Sequence, residues 1–478
     1  MMNQTSLRSY NFLWLSQVLL VLVTLSFQLP IIQNDYWWCV RVGQETLLNG
    51  TVPTTETFSW SQAGDPIIYQ PWLACVGLWL AHDLGGAPLT YLLRGILLGV
   101  TYALLWFIAK QESGPRTATI LIFIMGLASS SNWGMRTQLF AFPLFALWLY
   151  CLFNWQKGDN RMLWILPVSM VLWANLHGSF LLAFLLVGAA FVFGAGQRKP
   201  LLIAIIFILA GTLITPLGLD TWRQVIFNLT SPTDQLFSVE WSPPQNVGWQ
   251  ANIFFAWVLA LAPLAAFSTN KLSAFEWVLF LGLGWLAFSG TRYIIWFLFV
   301  LAIITAKLLA GIPNNKLDAT TKISFPVFNY ALAGLFILLP LFSLPGIREK
   351  WWFTAPPVYA TSTPFKAVEW LAAHPELPQP LWNDIAFGSY LTFALPERPP
   401  SVDTRFFPYP PAQMKEYQEI SLTGFAWESV FKRDGINLLL LSVVDQPRLI
   451  KAVETSDQWC EQYRDETAVI FSRCVLVP

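Results

Sequence analysis

The sequence predicts a polytopic α-helical membrane protein with a C-terminal extracytoplasmic α/β domain. The chain of 478 residues is 55% hydrophobic and only 12% charged, whereas about 25% of residues are charged in soluble proteins. Apolar runs recur as far as residue 345, and proline and charged residues become more frequent beyond about residue 350. These observations divide the chain into a transmembrane domain, 1–348, and an outer domain, 349–478.

About eleven apolar runs are candidate transmembrane helices. The first, residues 11–32, exceeds the roughly 20 apolar residues that a membrane span requires. It lacks a small-residue cleavage pattern, so we interpret it as a retained helix and not a signal peptide. The other runs lie at 89–109, 118–131, 138–155, 162–176, 180–195, 201–217, 251–268, 274–289, 292–311 and 326–345.

The positive residues set the orientation of these spans. Lys plus Arg equals Asp plus Glu at 28 each, a balance that gives no indication of a nucleic-acid partner. With the N-terminus in the cytoplasm, alternate loops carry the positive charges that cytoplasmic loops favour. These charges are Arg8, Lys110, Arg116, Lys157, Arg161, Arg198, Lys199, Lys271, Lys316 and Lys322.

The outer side then receives loop 33–88, loop 218–250 and the chain after residue 346. Residues 72–84 are too short to cross a bilayer, so we expect them to lie in the interface or to re-enter. In the outer domain, "TPFKAVEWLAAHPE" predicts an amphipathic helix and residues 436–443 predict a buried strand. "WCEQYRDETAVIFSRC" predicts a hairpin, whose Cys460 and Cys474 either form a disulfide or remain unpaired on its two arms.

Polar side chains near the outer ends of the spans are the candidate functional residues. Charged groups at membrane depth are costly unless they pair or line a wet cavity, so their convergence is a hypothesis for a site. They are Asp35, Arg41, Glu45, Arg136, Gln138, Asn175, His177 and Arg292.

Each candidate also has a structural interpretation. Trp37 and Trp38 fit an interfacial aromatic belt, and Arg136 and Arg292 taken singly fit snorkelling or lipid-phosphate contacts. Asp35 is expected at the end of the first helix, where the helix dipole disfavours negative charge. That placement favours a functional role, although an arginine partner such as Arg41 or Arg292 would explain it structurally.

A carboxylate beside arginine and histidine suits glycosyl transfer from a lipid phosphate. The carboxylate would accept a proton from an incoming hydroxyl, and the cationic groups would stabilise the phosphate that leaves. The sequence contains no Walker A motif, no H-E-x-x-H and no zinc-ligand spacing, which argues against an ATP-driven pump or a zinc enzyme.

Several segments together resemble bacterial GT-C type membrane glycosyltransferases, which are similar to protein O-mannosyltransferases and lipid A aminoarabinose transferases. The segments are "DYWWCVRVGQETLLNGTVPTTETFSW" from Asp35, "MRTQLFAFPLFAL" from Met135, "LWANLHGSF" from Leu172 and "FGSYLTFALPERPPSVDTRFFPYP" from Phe387. The resemblance covers nearly the whole chain in order.

The resemblance implies roles for these residues. Asp35 would be the catalytic base, and the arginines and His177 would hold the lipid phosphate. From the clustering of polar residues we also predict that the substrate-binding residues are Arg41, Glu45, Arg136, Asn175, His177 and Arg292. The implied substrates are a polyprenyl-phosphate-linked sugar and an unknown glycan, lipid or protein acceptor at the outer face of a bacterial plasma membrane. Asp384, Asp403 and Arg405 would shape the acceptor cleft, although the last two could equally form an internal ion pair.

The sequence departs from the group's usual wording at three points. Cys39 replaces a histidine, Gln70 and Pro71 replace the H-E of H-E-W-L, and Glu56 stands one position away from the usual aspartate. Two potential metal or proton-transfer groups are therefore missing, and a divalent cation has no confident ligand set. Cys39 and Cys75 could bond to each other. A catalytically degenerate scaffold and a transporter of a lipid-linked intermediate are the alternative functions.

Overall fold

The computed structural model describes residues 4–315, 317–318 and 325–474, so Lys316 and Lys322 lie outside the described residues. The α-helices are α1 (Gln4–Ser26), α2 (Gln33–Asn49), α3 (Trp72–Glu112), α4 (Pro115–Ala128), α5 (Thr137–Gln156), α6 (Ile165–Leu176), α7 (Leu181–Phe193), α8 (Arg198–Gly211), α9 (Asp220–Thr230), α10 (Pro232–Phe237), α11 (Trp249–Phe267), α12 (Ala274–Ser289), α13 (Ile294–Ala310), α14 (Pro326–Leu338), α15 (Phe365–Ala372), α16 (Ile385–Ala394), α17 (Pro411–Thr423), α18 (Trp427–Arg433) and α19 (Pro447–Glu454). The strands are β1 (Leu381–Asn383), β2 (Leu438–Ser442), β3 (Trp459–Arg464) and β4 (Ala468–Arg473).

The chain forms two compact units. The helical unit consists of the chain up to Leu29 together with Ala81–Leu219 and Val239–Pro356. The sheet unit consists of Pro30–Leu80, Asp220–Ser238 and the chain from Pro357 onwards. The predicted division at residues 348 and 349 stays a prediction.

Every predicted apolar run has a helix in it. Among the described residues, six helical segments are long and apolar enough to cross a membrane: Leu7–Ser26, Trp72–Glu112, Thr137–Gln156, Trp249–Phe267, Thr291–Ala310 and Pro326–Ser343. Shorter apolar helices, including α4 and α12, accompany them. The number of eleven spans stays a prediction.

Helices of the helical unit pack through apolar contacts and a few polar bridges. α1 packs on α14 and α4, α12 on α13, and α6 on α8. The indole N–H of Trp257 in α11 donates to Thr305 Oγ1 in α13 at 2.9 Å, and that of Trp148 in α5 donates to Ser169 Oγ in α6 at 2.9 Å. Such interhelical hydrogen bonds satisfy polar groups where water is scarce.

The outward faces of this unit are apolar. Val168, Leu259, Trp285 and Val327, on four different helices, are between 70% and 83% exposed. Large exposed apolar side chains in such number are typical of a lipid-facing surface, because a soluble protein rarely exposes broad apolar patches. Together with the membrane-length helices, this surface identifies a multi-pass membrane protein.

The sheet unit is built around a four-stranded sheet of order β1-β2-β4-β3, in which β1 and β2 are parallel and the other pairs are antiparallel. Alternate residues of β2 pack into two different hydrophobic cores, one on each face of the sheet. Leu439 and Leu441 join the core beneath α17, α18 and α19, while Leu438 and Leu440 join the core beneath α15 and α16. Side chains of a strand alternate between faces, so both faces of this central strand are apolar.

The structure confirms the predicted strand and hairpin, and both cysteine pairs are disulfides. β2 lies within the predicted strand 436–443, and β3 and β4 form the antiparallel hairpin. Cys460 is bonded to Cys474, and Cys39 of α2 is bonded to Cys75 of α3.

Two segments of the predicted outer loop 33–88 are more regular than expected. Residues 33–49 form α2, which packs on α16: Ser389 Oγ donates to the carbonyl of Gln33 at 2.8 Å and accepts from the backbone N–H of Trp38. Residues 72–84 are helical, and a non-helical backbone at Gly86 separates them from the apolar helix that follows. The range α3 therefore consists of two helical parts that meet at Gly86, where φ is 56°, just before Pro88.

Candidate functional site: an arginine-lined cavity and a first-turn aspartate

A cavity of about 340 Å³ lies in the helical unit where several helices begin or end. Its walls come from the end of α4, the residue before α5, the chain between α10 and α11, the first turns of α11, and the turn that precedes α13. We call it the arginine cavity. Its lining residues are Ala128, Ser131, Asn132, Arg136, Glu240, Pro244, Gln245, Val247, Gln250, Ala251, Phe254, Thr291, Arg292 and Ile294.

Arg136 stands at the N-cap position of α5 and forms an ion pair with Glu240. The arginine side chain is 20% exposed and the glutamate side chain 43% exposed. Burial would raise the pKa of Glu240, but the charges of Arg136 and Arg292 hold it below its usual value. Glu240 is therefore an ionised carboxylate near neutral pH.

Arg292 lies in the turn Thr291–Tyr293 that leads into α13. Its guanidinium carbon is 4.3 Å from the centre of the Trp241 ring, a cation–π contact. The backbone carbonyl of Arg292 accepts from Gln138 Nε2 at 3.3 Å. Within the described part of the chain, no carboxylate lies within ion-pair distance of Arg292, whereas Arg136 has one.

His177 lies between α6 and α7, and the charges of Arg136 and Arg292 act on it. Burial and then the positive charges of Arg292 and Arg136 lower the pKa of His177 to about 3, so its imidazole is neutral. Its Nδ1 accepts from the backbone N–H of Ser179 at 3.1 Å, and Trp173 Nε1 donates to Ser179 Oγ at 3.1 Å. His177 thus lies within electrostatic reach of both arginines, and its membership of the same site stays a prediction.

Asn175 joins the end of α6 to the chain after α8. Its side-chain Nδ2 donates to the carbonyls of Val171 at 2.7 Å and Ile214 at 2.9 Å. These bonds fix the helix end that precedes His177. Whether Asn175 also contacts a substrate stays a prediction.

Asp35 occupies a different position from the one its sequence context indicated. The argument that a helix C-terminus disfavours its charge is wrong, because α1 ends at Ser26 and Asp35 lies in the first turn of α2. A helix N-terminus favours negative charge. Asp35 is half-buried in the sheet unit, and its Oδ1 accepts from Trp38 Nε1 at 3.3 Å.

Arg41 and Glu45 follow on the same helix and pair with each other. Arg41 Nη2 is 2.6 Å from Glu45 Oε1, and Arg41 Nη1 donates to Gln44 Oε1 at 3.0 Å. Glu45 also accepts from Asn49 at 2.9 Å. This arrangement is an i,i+4 pair on one face of a helix, and a substrate-binding role for it stays a prediction.

A buried triad, which we call the Arg405 triad, lies elsewhere in the sheet unit. Arg405 pairs with Asp403 and with Glu56, each at 2.6 Å, and none of the three side chains is more than 1% exposed. The Oε1 of Glu56 also accepts from the backbone N–H groups of Phe58 at 2.6 Å and Ser59 at 2.9 Å. The ion-pair interpretation of Asp403 and Arg405 is confirmed, and Glu56, which the sequence marked only as a departure, completes it.

A second cavity, of about 520 Å³, lies in the sheet unit and is lined by both aromatic and polar side chains. Trp60 Nε1 donates to the carbonyl of Leu381 at 2.7 Å, and Gln413 Nε2 donates to Ser61 Oγ at 2.8 Å. We call it the sheet-unit groove. Its lining includes Trp60, Ser61, Trp382, Gln413, Glu416, Tyr417 and Arg433.

Asp384 caps the N-terminus of α16 from a buried position. Its Oδ1 accepts from the backbone N–H of Ala386 at 2.9 Å. Burial, followed by the charge of Asp445, raises the pKa of Asp384 to about 7. Among the described residues, no three side chains of His, Cys, Asp or Glu come together in a way that could hold a metal ion.

A bundle of membrane-length apolar helices with a small α/β unit defines the class of fold, which is that of the GT-C membrane glycosyltransferases. The chain is similar in structure to the oligosaccharyltransferase AglB from Archaeoglobus fulgidus, solved with an inhibitory peptide and a dolichol-phosphate, at a TM-score of 0.60 and 11% identity over 97% of this chain and 75% of AglB. It is similar to ArnT from Cupriavidus metallidurans bound to undecaprenyl phosphate, at a TM-score of 0.53 and 14% identity over 97% of this chain and 98% of ArnT.

The arabinofuranosyltransferase AftD from Mycobacteria gives a TM-score of 0.59 at 16% identity, over 96% of this chain and 41% of AftD. No family model matches the sequence, and no curated protein matches it. At these identities the likeness establishes the fold, and the resemblance to GT-C transferases that the sequence motifs indicated is confirmed at that level.

Proposed function

We propose that the chain is an integral membrane glycosyltransferase that moves a sugar from a polyprenyl-phosphate donor to a hydroxyl acceptor on the outer face of a bacterial plasma membrane. The observation that carries the proposal is the arginine cavity: two guanidinium groups line it at the ends of membrane helices, and its one lining carboxylate among the described residues, Glu240, pairs with Arg136. Positive charge is costly at this depth unless an anion compensates it. AglB and ArnT, which share the fold, were solved with a dolichol-phosphate and undecaprenyl phosphate.

The proposed reaction inverts the anomeric carbon in one displacement. The acceptor oxygen forms a bond to that carbon, the bond from the carbon to the phosphate oxygen breaks, and the acceptor proton passes to the Asp35 carboxylate. The lipid phosphate leaves as a monoester and takes the electron pair of the broken bond. Arg136 and Arg292 stabilise the charge that develops on that oxygen.

His177 has a supporting role in this scheme. A neutral imidazole whose Nδ1 already accepts from Ser179 carries its proton on Nε2, so it can donate one neutral hydrogen bond to a phosphate oxygen. Burial, together with the positive charges of Arg292 and Arg136, lowers its pKa, so it remains a neutral donor across the physiological range. We assign it to phosphate binding and not to proton transfer.

We assign the acceptor to the sheet-unit groove. Indole and phenol rings such as those of Trp60, Trp382 and Tyr417 offer apolar faces, and Gln413 and Ser61 offer hydrogen-bonding groups. Pockets that combine apolar walls with a few polar groups are typical ligand sites. The acceptor is then a glycan or another hydroxyl-bearing molecule.

The test is a glycan comparison in the native host between wild type, a deletion, Asp35→Asn and Arg292→Ala. Asp65→Asn, an exposed aspartate of the same outer segment, and Arg223→Gln, an arginine whose side chain is 76% exposed, are the matched controls. Membrane levels of each protein are measured by immunoblot. General-base removal typically costs about 10²–10⁴ in rate, so Asp35→Asn should abolish the sugar that the deletion abolishes and accumulate its lipid donor.

A deletion effect that neither Asp35→Asn nor Arg292→Ala shares would refute this assignment. The chain would then act as a scaffold or transporter, for which these residues are dispensable. If Arg292→Ala abolished the sugar and Asp35→Asn did not, the phosphate site would stand and Asp35 would not be the base.

A further inference from the structure

One short segment holds both arginines of the cavity. In the turn Val239–Trp241, the Glu240 side chain pairs with Arg136 and the Trp241 ring lies against the Arg292 guanidinium. Thr291, the neighbour of Arg292, donates from Oγ1 to the Glu240 carbonyl at 3.1 Å and from its backbone N–H to the Ser242 carbonyl at 3.0 Å. Glu240 is therefore held in place by its backbone as well as by its ion pair.

The charge of the arginine cavity follows from these side chains. Arg136 and Arg292 contribute two positive charges, Glu240 removes one, and His177 is neutral. The cavity carries a net charge of about one positive unit, and that charge belongs to Arg292. A fully positive pair of arginines would be a stronger anion site than this one.

The proposed function makes this difference meaningful, and the inference rests on it. A sugar linked to a lipid through a phosphodiester carries one negative charge, whereas the lipid monoester left after transfer carries about 1.5 to 2 negative charges near neutral pH. Two unpaired arginines would bind the doubly charged product more tightly than the singly charged donor. A transferase with such a site would be inhibited by its own product.

We propose that Glu240 is a specificity-determining residue that occupies Arg136 and so prevents the cavity from favouring the phosphomonoester product over the phosphodiester donor. The carboxylate stays ionised throughout the cycle. It weakens the binding of the monoester, which carries a second negative charge, more than it weakens the binding of the diester. Product release is faster as a result.

The test measures the binding of two probes to the full-length protein in detergent: farnesyl phosphate, a monoester, and methyl farnesyl phosphate, a diester of the same chain. Wild type is compared with Glu240→Gln, which removes the charge at constant shape, and with Glu240→Asp, which retains it. Glu112→Gln removes an acid that pairs with Lys157 outside the cavity and is the matched control. Arg292→Ala reports whether the cavity binds the probes at all.

We expect Glu240→Gln to tighten monoester binding about three- to fivefold at pH 8, the upper part of the range for a partly exposed ion pair, and to change diester binding less. At pH 5 the monoester has taken up its second proton, because that pKa is about 6, and the preference should vanish. Glu240→Asp and Glu112→Gln should retain the wild-type ratio of the two affinities.

Three outcomes contradict parts of this reasoning separately. Equal tightening of both probes, or no change, overturns the inference about Glu240 while the phosphate site stands, provided that Arg292→Ala weakens binding. A pH-independent preference also overturns it, because charge would not be the cause. If wild type binds neither probe, or Arg292→Ala changes nothing, the proposed phosphate site fails and the inference fails with it.

Discussion

Replacing Asp384 by asparagine should stabilise the sheet unit at alkaline pH. The carboxyl group is 3% exposed and caps α16 by accepting from the backbone N–H of Ala386. Asparagine caps a helix about as well as aspartate and has no charge to bury. The substitution therefore retains the cap and removes the cost of desolvating a carboxylate.

The pKa of Asp384 gives the size of this effect on the free energy of unfolding and the direction of its pH dependence. A pKa of about 7 in the folded protein, against 3.8 in the unfolded chain, means that the folded state binds the proton more tightly. The free energy of unfolding is then highest below pH 3.8 and falls as the pH rises towards 7. The full cost above pH 7 is at most about 4 kcal/mol, and about 3 kcal/mol of it develops between pH 5 and pH 8.

Hydrogen exchange measured by mass spectrometry on the full-length protein is a suitable assay. The slowest amides of β2 and β4 report the opening of the sheet unit once the intrinsic pH dependence of exchange is subtracted. Wild type should lose protection between pH 5 and pH 8, Asp384→Asn should lose much less, and Asp457→Asn, an exposed control, should follow wild type. An Asp384→Asn variant that is no more stable than wild type at pH 8 would refute the reasoning.

Three further changes in the sheet unit have defined outcomes in the same exchange assay. Arg405→Met should destabilise the unit by at least about 3–5 kcal/mol, because it leaves two buried carboxylates uncompensated. Glu56→Gln should cost less, because Arg405 and Asp403 remain as a balanced pair. Equal costs of the two variants would contradict this charge count. Replacing Cys460 and Cys474 together by serine opens a covalent loop with a sequence separation of 14 and should cost about 3 kcal/mol; unchanged protection of the hairpin would contradict it. Gly388→Ala would drive its methyl group into a neighbouring backbone carbonyl and should cost about 1–3 kcal/mol; protection equal to wild type would show that the chain moves aside freely.

Local patterns in the sequence predicted much of the fold. Apolar runs produce helices because a membrane requires every backbone group to be bonded within its own segment, so composition alone located them. The strand at 438–442 and the hairpin 459–473 followed from β-rich runs bounded by turn residues. These elements depend on neighbours in sequence, which a single chain displays.

Residues far apart in sequence were harder to relate. Glu56 and Arg405 are separated by 349 positions, and Glu240 and Arg136 by 104, so no local pattern links either pair. The error about Asp35 has a local origin. Loop 33–88 begins with a helix of low overall hydrophobicity, so Pro30 lies between two helices and not between a helix and a loop.

The partners of each arginine distinguish a structural role from the proposed phosphate-binding role. In the sheet unit, Arg405 is bonded to two buried carboxylates, so the Arg405 triad has a net negative charge and no capacity for an anionic ligand. In the helical unit, Arg136 pairs with the partly exposed carboxylate of Glu240, whereas Arg292 has no carboxylate within ion-pair distance among the described residues and lies against the Trp241 ring. A cation held by an aromatic ring retains its charge, which supports the proposed phosphate site. Composition counts these arginines alike, but their partners distinguish them: Arg405 stabilises the sheet unit, and the arginine cavity is the site that we propose for the lipid phosphate.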